Sequence, residues 1–168
     1  NGGVVGTCGV EDCLPANDWW AIEEATPGVV WKRRDGELTA MRARKDAFEV
    51  AAIERSMSLA TMALDKAPNL LRQGLSMRVV IAELDRLVRN QGAEDVRFLT
   101  ATGAQPLRPV DDSIPKPGDQ ILIYCAVQNQ RYWGEAAQTY AMGQATDAQR
   151  ALHAKALRAI EAMAERVK

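Results

Sequence analysis

Cysteine and histidine, two residue types that can act in nucleophilic catalysis or hold a metal ion, are both scarce in this chain. The three cysteines are Cys8, Cys13 and Cys125, and the single histidine is His153. A structural zinc site takes four ligands, and the C-x4-C pair of Cys8 and Cys13 has no second cysteine or histidine cluster near it. We therefore expect these two cysteines to be small buried side chains in a glycine-rich strand and turn.

Any mechanism that pairs a serine or cysteine nucleophile with histidine would have to use His153. This residue falls in a helical pattern that runs from Ala151 to Val167. Neither a Gly-x-Ser-x-Gly elbow nor a phosphate-binding loop accompanies it. The sequence therefore predicts a solvated histidine on the face of a helix.

The composition is that of a globular protein, and it argues against several kinds of partner. The chain has 168 residues, of which 47% are hydrophobic, and its 21 basic and 22 acidic residues leave a net charge of -1. This balance offers no basic surface for a phosphate backbone, so a nucleic-acid partner is not expected. No apolar run approaches the roughly 20 residues that a membrane span needs.

The odd number of cysteines and the lack of a visible secretory signal favour reduced thiols in the cytoplasm. The chain starts at Asn1, inside a strand-like segment, and stops inside a helical pattern. Both ends look cut, so we expect the natural protein to be longer.

The hydrophobic periodicity predicts an α+β protein with antiparallel pairing. Residues 1 to 40 read as the end of one domain, with a strand at Val4-Val5-Gly6, a helix capped by Asp18, a strand at Val29 to Trp31 and a charged turn at residues 33–36. Two helices come next: one from Asp46 to Ala67, ended by Pro68, and one that Ser76 caps and Gly92 stops. A strand from Val96 to Thr102 and a proline-rich loop follow. The last elements are a β-hairpin of Gln120 to Val127 and Tyr132 to Met142, and a helix that begins at the capping box Thr146-x-x-Gln149.

Three local patterns, taken in order, resemble the pita-bread family of aminopeptidase P, prolidase, creatinase and methionine aminopeptidase. They are MRARKDAFE at residues 41–49, KPGD at residues 116–119, and RYWGEAAQTY at residues 131–140. The resemblance implies that residues 38–168 are the first half of a pita-bread domain. It also implies that residues 1–37 are the end of a smaller α/β N-terminal domain, which favours the aminopeptidase P, prolidase and creatinase branch.

The chain departs from the family pattern at the positions that would carry the chemistry. Active members have one metal-binding aspartate near the end of the first hairpin strand and another eleven residues later; these positions are Tyr124 and Glu135 here. The family places a catalytic histidine before the Pro-Gly-Asp turn, whereas residues 103–115 contain none, and the nearest matches are Leu107 and Arg108. The family's other ligands lie in a second half that this chain does not contain.

The first hypothesis is therefore a creatinase-like or aminopeptidase P-like hydrolase of a small C–N substrate that has lost the two-metal centre. In it, Glu135 is an acid/base or substrate-binding carboxylate, Tyr124 and Tyr132 are hydrogen-bonding wall residues, and Arg108 helps to bind the substrate. No cofactor is expected, and divalent metals would bind only if their ligands lie elsewhere. The competing interpretation makes Glu135 a solvated or ion-paired strand residue and Tyr124 a packed one.

Two further hypotheses remain open. The second is a catalytically inactive pita-bread domain that binds peptides or proteins. The third is an ordinary Xaa-Pro metallopeptidase whose ligands are misaligned, with Asp111, Asp112 and Asp119 as the alternatives nearby. The resemblance also implies a homodimer, and half of a pita-bread domain should leave an apolar face uncovered until the other half is present.

Overall fold

The computed structural model describes residues 6–10 and 13–167. Its elements, in chain order, are β1 (Thr7–Val10), α1 (Ala16–Ala25), β2 (Val30–Arg33), α2 (Asp35–Ala43), α3 (Ala47–Leu71), α4 (Met77–Asn90), β3 (Asp95–Thr102), β4 (Gln120–Asn129), β5 (Tyr132–Ala141) and α5 (Asp147–Arg166). The predicted α+β class is confirmed. The chain divides into two compact units, residues 1–48 and residues 49–168.

The first unit holds a short parallel pair of strands, in which Thr7 of β1 lies opposite Val30 of β2. The strand predicted near Trp31 is thus confirmed, although it runs from Val30 to Arg33. The strand predicted at Val4-Val5-Gly6 falls mostly outside the described residues, and Gly6 itself precedes β1. Trp19 of α1 packs edge-on against Trp31, with ring centroids 5.9 Å apart.

Two predictions for the first unit are wrong. Asp18 lies inside the first turn of α1, and the residue before the helix is Pro15, whose carbonyl accepts a hydrogen bond from the Trp19 N–H at 3.0 Å. The charged run at residues 33–36 is not a turn, because Asp35 begins α2. Helix α2 has acidic side chains in its first turn and a basic side chain in its last turn. This distribution of charge stabilises the helix through its dipole.

The second unit is built on a three-stranded antiparallel sheet in the order β3-β4-β5. Alternate residues of β4 are 0–1% exposed and pack into one core with α3 and α4; they are Ile121, Ile123, Cys125 and Val127. Successive side chains of a strand point to opposite faces. We call the helix-covered side of this sheet the buried face and the other side, which carries Tyr124, the open face.

The β-hairpin predicted from the two strand patterns is confirmed, with Asn129 opposite Tyr132 at its tip. The two connecting residues, Gln130 and Arg131, have φ angles of 51° and 69°. Two left-handed residues are the conformation of the tightest hairpin turn, whose twist matches that of the strands. The turn fixes the register, and the register decides which β5 side chains share a face with Tyr124.

Helix α3 approaches β5 closely at Gly134. A Cβ atom on Gly134 would lie 2.3 Å from the backbone nitrogen of Met57 and 2.7 Å from the carbonyl carbon of Ser56. The buried Ser56 hydroxyl lies 2.8 Å from the carbonyl oxygen of Tyr132 and 3.1 Å from that of Ala52, and its single proton is shared between these two acceptors. The absence of a side chain at 134 therefore lets the helix lie directly on the strand.

Pro68 does not end the first long helix, which is a correction to the prediction, because α3 continues to Leu71. A proline lacks the N–H that would bond the carbonyl four residues earlier, which here is that of Leu64. The Tyr140 hydroxyl of β5 donates a hydrogen bond to this carbonyl at 2.7 Å. A side chain from the sheet thus replaces the missing helical bond.

We expect Tyr140→Phe to lower the free energy of unfolding by about 1–2 kcal/mol, because it leaves the Leu64 carbonyl without this donor. Urea denaturation of the variant and the parent would measure the loss. In a Pro68→Ala background the N–H at position 68 can reach Leu64, so the same substitution should cost less there. An equal loss in both backgrounds would contradict the compensation between Tyr140 and Pro68.

The starts of the last two helices differ. Ser76 precedes α4 as predicted, but its side chain makes no capping hydrogen bond; the Met77 N–H donates to the Ser113 carbonyl at 2.8 Å instead. The capping box of α5 is confirmed, with reciprocal bonds between Thr146 and Gln149. The predicted apolar face of α5 is open to solvent, with Leu152 63%, Ile160 57% and Met163 60% exposed.

Candidate functional site

The open face brings together side chains from all three strands of the sheet. Leu99, Tyr124 and Ala137 lie opposite one another in one row across it. The next row is Arg97, Ala126 and Glu135, and Trp133 follows Glu135 on the same side of β5. Helices α3 and α4 pack against the buried face, whereas Arg97 and Glu135 on the open face are exposed.

Tyr124 and Glu135 are diagonal neighbours on this face, because Tyr124 lies opposite Ala137 and Glu135 lies opposite Ala126. The pKa of the Tyr124 phenol is raised above its ordinary value of 10.0, first by burial and then by the nearby Glu135 carboxylate. The charge of Arg97 opposes this rise. A phenol that keeps its proton can act as a donor on this face. The two catalytic residues proposed from the sequence are therefore adjacent, one half-buried and one exposed.

Arg97 and Trp133 add a cation and an aromatic ring beside this pair. The Arg97 guanidinium carbon lies 4.7 Å from the centre of the Trp133 ring, within the range of a cation–π interaction. Motif comparison does not point to Arg97, since β3 carries none of the family patterns. Arg97 could have been found from the alternation of side chains between the two faces of β3, combined with the register of β3 against β4.

The other two predicted site residues lie elsewhere. Tyr132 is on the buried face, and its hydroxyl donates a hydrogen bond to the Glu49 carboxylate of α3 at 3.0 Å. The backbone of Arg108 pairs with Thr100 at the outer edge of β3, and its guanidinium forms an ion pair with Asp111 at 2.8 Å. The structure does not bring either residue to Tyr124 and Glu135, and their role in substrate binding stays a prediction.

The three loop and turn aspartates considered as alternative metal ligands already have partners. Asp112 receives two hydrogen bonds from Arg78, at 2.6 and 3.0 Å, and these are the main reason its pKa is lowered. Asp111 accepts bonds from Ser113, which likewise lower its pKa. Asp119 accepts the Lys116 N–H at 2.8 Å within the Pro-Gly-Asp turn. These carboxylates organise the loop that leads into β4.

The described residues do not fit the two-metal centre that the resemblance implies. Two divalent ions a few ångströms apart need bridging carboxylates, whereas position 124 offers a phenol and position 135 a single carboxylate. Within residues 6–10 and 13–167, no three histidine, cysteine or acidic side chains lie close enough to hold a metal ion.

The cysteines and the histidine agree only in part with their predictions. Burial raises the pKa of the Cys125 thiol to about 12, so this residue is an inert part of the core. Cys8 is half-buried, but Cys13 is exposed, so the expectation of a buried side chain is wrong for Cys13. His153 lies exposed on α5, as predicted. It helps to line a cavity of about 230 Å³ where the end of the open face meets the start of that helix.

The comparisons with known proteins agree with this fold. The sequence profile of metallopeptidase family M24 matches residues 51–168. An Xaa-Pro dipeptidase of Pyrococcus horikoshii is 25% identical over 165 residues, which are 95% of this chain and 47% of that protein. The chain therefore spans about half the length of this curated relative.

Solved structures of similar proteins superpose closely on the chain. An X-Pro aminopeptidase of Thermotoga maritima has a TM-score of 0.83 at 24% identity, covering 92% of this chain and 46% of that one. A variant of aminopeptidase P from Escherichia coli has a TM-score of 0.84 at 19% identity, covering 94% of this chain and 40% of that one. At these identities the match shows the fold, which is the predicted pita-bread architecture in part. In the part of the chain that the structure describes, no helix is both long and apolar enough for a membrane span.

Proposed function

Since the chain belongs to metallopeptidase family M24, we propose that it is part of a hydrolase that cleaves a C–N bond in a small amide, peptide or guanidino substrate without the family's two-metal centre. The observation that carries this proposal is that the hairpin register places Tyr124 and Glu135 side by side on the open face of the sheet. An exposed carboxylate beside a protonated phenol is a suitable general base.

In this proposal Glu135 accepts a proton from a water molecule as that water attacks the carbon of the C–N bond. The same proton then passes to the leaving nitrogen, which departs as an amine. Tyr124 keeps the carboxylate oriented through its hydroxyl. A raised pKa supports this role, because the Tyr124 phenol then stays protonated near neutral pH.

The proposed active protein is longer than this chain. Residues 1–37 would be the end of an N-terminal domain and residues 38–168 the first half of the catalytic domain; the break between compact units after residue 48 supports a division in this region. The exposed leucine, isoleucine and methionine side chains of α5 support a second half that covers them. We propose a cytoplasmic homodimer as its working form.

The test is hydrolysis with and without metal. We expect the complete purified protein to contain far less than one equivalent of manganese, cobalt or zinc per chain. We also expect turnover of Xaa-Pro dipeptides or small guanidino compounds to survive dialysis against a chelator, because its base is Glu135 and not a metal-bound hydroxide. Elemental analysis and amine release would be measured on the same sample.

The opposite result supports the Xaa-Pro metallopeptidase. The similarity to the Pyrococcus horikoshii Xaa-Pro dipeptidase favours this candidate. Close to two equivalents of metal per chain, with activity that is lost to the chelator and regained on adding metal, would establish it. The proposed metal-independent chemistry would then be wrong.

A binding module is the candidate from a different class. It is favoured by residues 103–115, which contain no histidine, and by the tyrosine at position 124. If the second half also lacks its histidine and glutamates, and the complete protein binds peptides without cleaving them, this candidate replaces the hydrolase.

A further inference from the structure

Arg97 reaches across the whole open face. It starts on β3, and β4 separates this strand from β5, yet its guanidinium carbon lies 4.7 Å from the centre of the Trp133 ring on β5. Neighbouring strands are about 4.8 Å apart, so the two long side chains together span β4 to make this contact. Ala126, the β4 partner of Arg97 in its row, is only 4% exposed. A small residue at this position leaves room for a long side chain beside it.

This contact keeps the positive charge of Arg97 on the same face of the sheet as the proposed catalytic carboxylate. Trp133 and Glu135 are two residues apart on the same side of β5, and Arg97 shares a row with Glu135. The ring holds the guanidinium from one side. Arg97 also forms an ion pair with Asp95, whose Oδ2 atom lies at 3.5 Å, while the Arg97 side chain keeps 70% of its surface exposed.

We propose that Arg97, held over Trp133, is a specificity-determining residue that binds a carboxylate of the substrate while Glu135 faces the bond to be cleaved. A guanidinium stacked on a ring presents its N–H groups at its edge, where they suit the two oxygens of a carboxylate. The inference rests on the proposed function for the position of the reacting bond, but binding of the carboxylate does not depend on turnover.

The test compares an Ala-Pro dipeptide with its C-terminal carboxamide, using the complete protein and the variant Arg97→Gln. We expect the variant to raise KM for the dipeptide by about tenfold or more, the effect of losing a charge-assisted bond, with kcat little changed. KM for the carboxamide should stay the same, since it has no negative charge to lose. Arg97→Lys should recover only part of the loss, because an ammonium cannot form the two-pronged contact.

Arg86→Gln is the matched control, because Arg86 lies exposed on α4 and pairs with Glu83. It should leave both substrates unaffected. Equal KM changes for the two substrates in Arg97→Gln, or no change for either, would overturn the assignment while leaving the hydrolase intact. If the wild-type protein turns over neither substrate, calorimetric titration measures its affinity for the same dipeptide and carboxamide. Tighter binding of the dipeptide that Arg97→Gln abolishes would support the role of Arg97. Equal affinities of the wild-type protein for the two ligands would refute it.

Discussion

Glu135→Gln in the complete protein is expected to lower kcat by about a hundredfold or more, the usual contribution of a general base. Glutamine keeps the size of the side chain, but it cannot take a proton from water. Because Glu135 is exposed on the open face, the variant should fold as stably as the parent. Steady-state kinetics and thermal unfolding on the same preparations would measure both quantities.

The companion and control variants make this prediction specific. Tyr124→Phe should cause a smaller fall, since the carboxylate remains but loses its hydroxyl partner. Because the pKa of Tyr124 is raised above 10.0, its titration should not limit the rate of the wild-type protein below about pH 10. Glu83→Gln, on the exposed side of α4, should leave kcat unchanged. A Glu135→Gln protein with wild-type kcat would remove this residue from the mechanism.

Gly134→Ala is expected to be among the most destabilising single changes in the second unit, with a loss of about 3 kcal/mol or more in the free energy of unfolding. The new methyl group would lie 2.3 Å from the Met57 nitrogen and 2.9 Å from the Met57 Cα. Both atoms belong to the α3 backbone, so no side-chain rotation relieves the overlap. The helix must lift from β5, which also stretches the bond from Ser56 to the Tyr132 carbonyl.

Gly36→Ala is the matched control for this substitution. Gly36 lies in α2 without a positive φ, and no atom lies within 4 Å of the place that its new methyl group would take. Alanine there should therefore be neutral or slightly stabilising. Urea denaturation followed by circular dichroism would compare the two variants. Equal midpoints for Gly134→Ala and the parent would show that α3 does not depend on this close approach.

The second unit was largely predictable from sequence, because local signals and tertiary packing agree there. The hairpin follows from two apolar strands around a tight turn, and Thr146 with Gln149 marks the start of α5. The error at Pro68 has a non-local cause. No local pattern reveals that Tyr140, 72 positions further along the chain than Pro68, supplies the donor that lets the helix continue.

The candidate site was predictable only in part. Tyr124 and Glu135 come from the spacing of the family motif, and the hairpin register places them together. Tyr132 is three positions from Glu135 on one strand, so alternation alone predicts opposite faces for the two. To predict Arg97 one must also know the strand order, because β4 lies between the strands that carry Arg97 and Trp133.

The alternation of the sheet has a consequence for how such a protein changes over evolutionary time. On β4 the odd-numbered residues from Ile121 to Val127 belong to the core, while Tyr124 lies on the opposite face. We therefore expect a substitution at the exposed position 135 to change the chemistry of this face at little cost in stability. Ancestral ligands can be lost one at a time while selection on the core continues unchanged. The residues that maintain the fold and the residues that would carry the chemistry can therefore change independently in this domain. A shared fold indicates common descent but does not determine the present reaction.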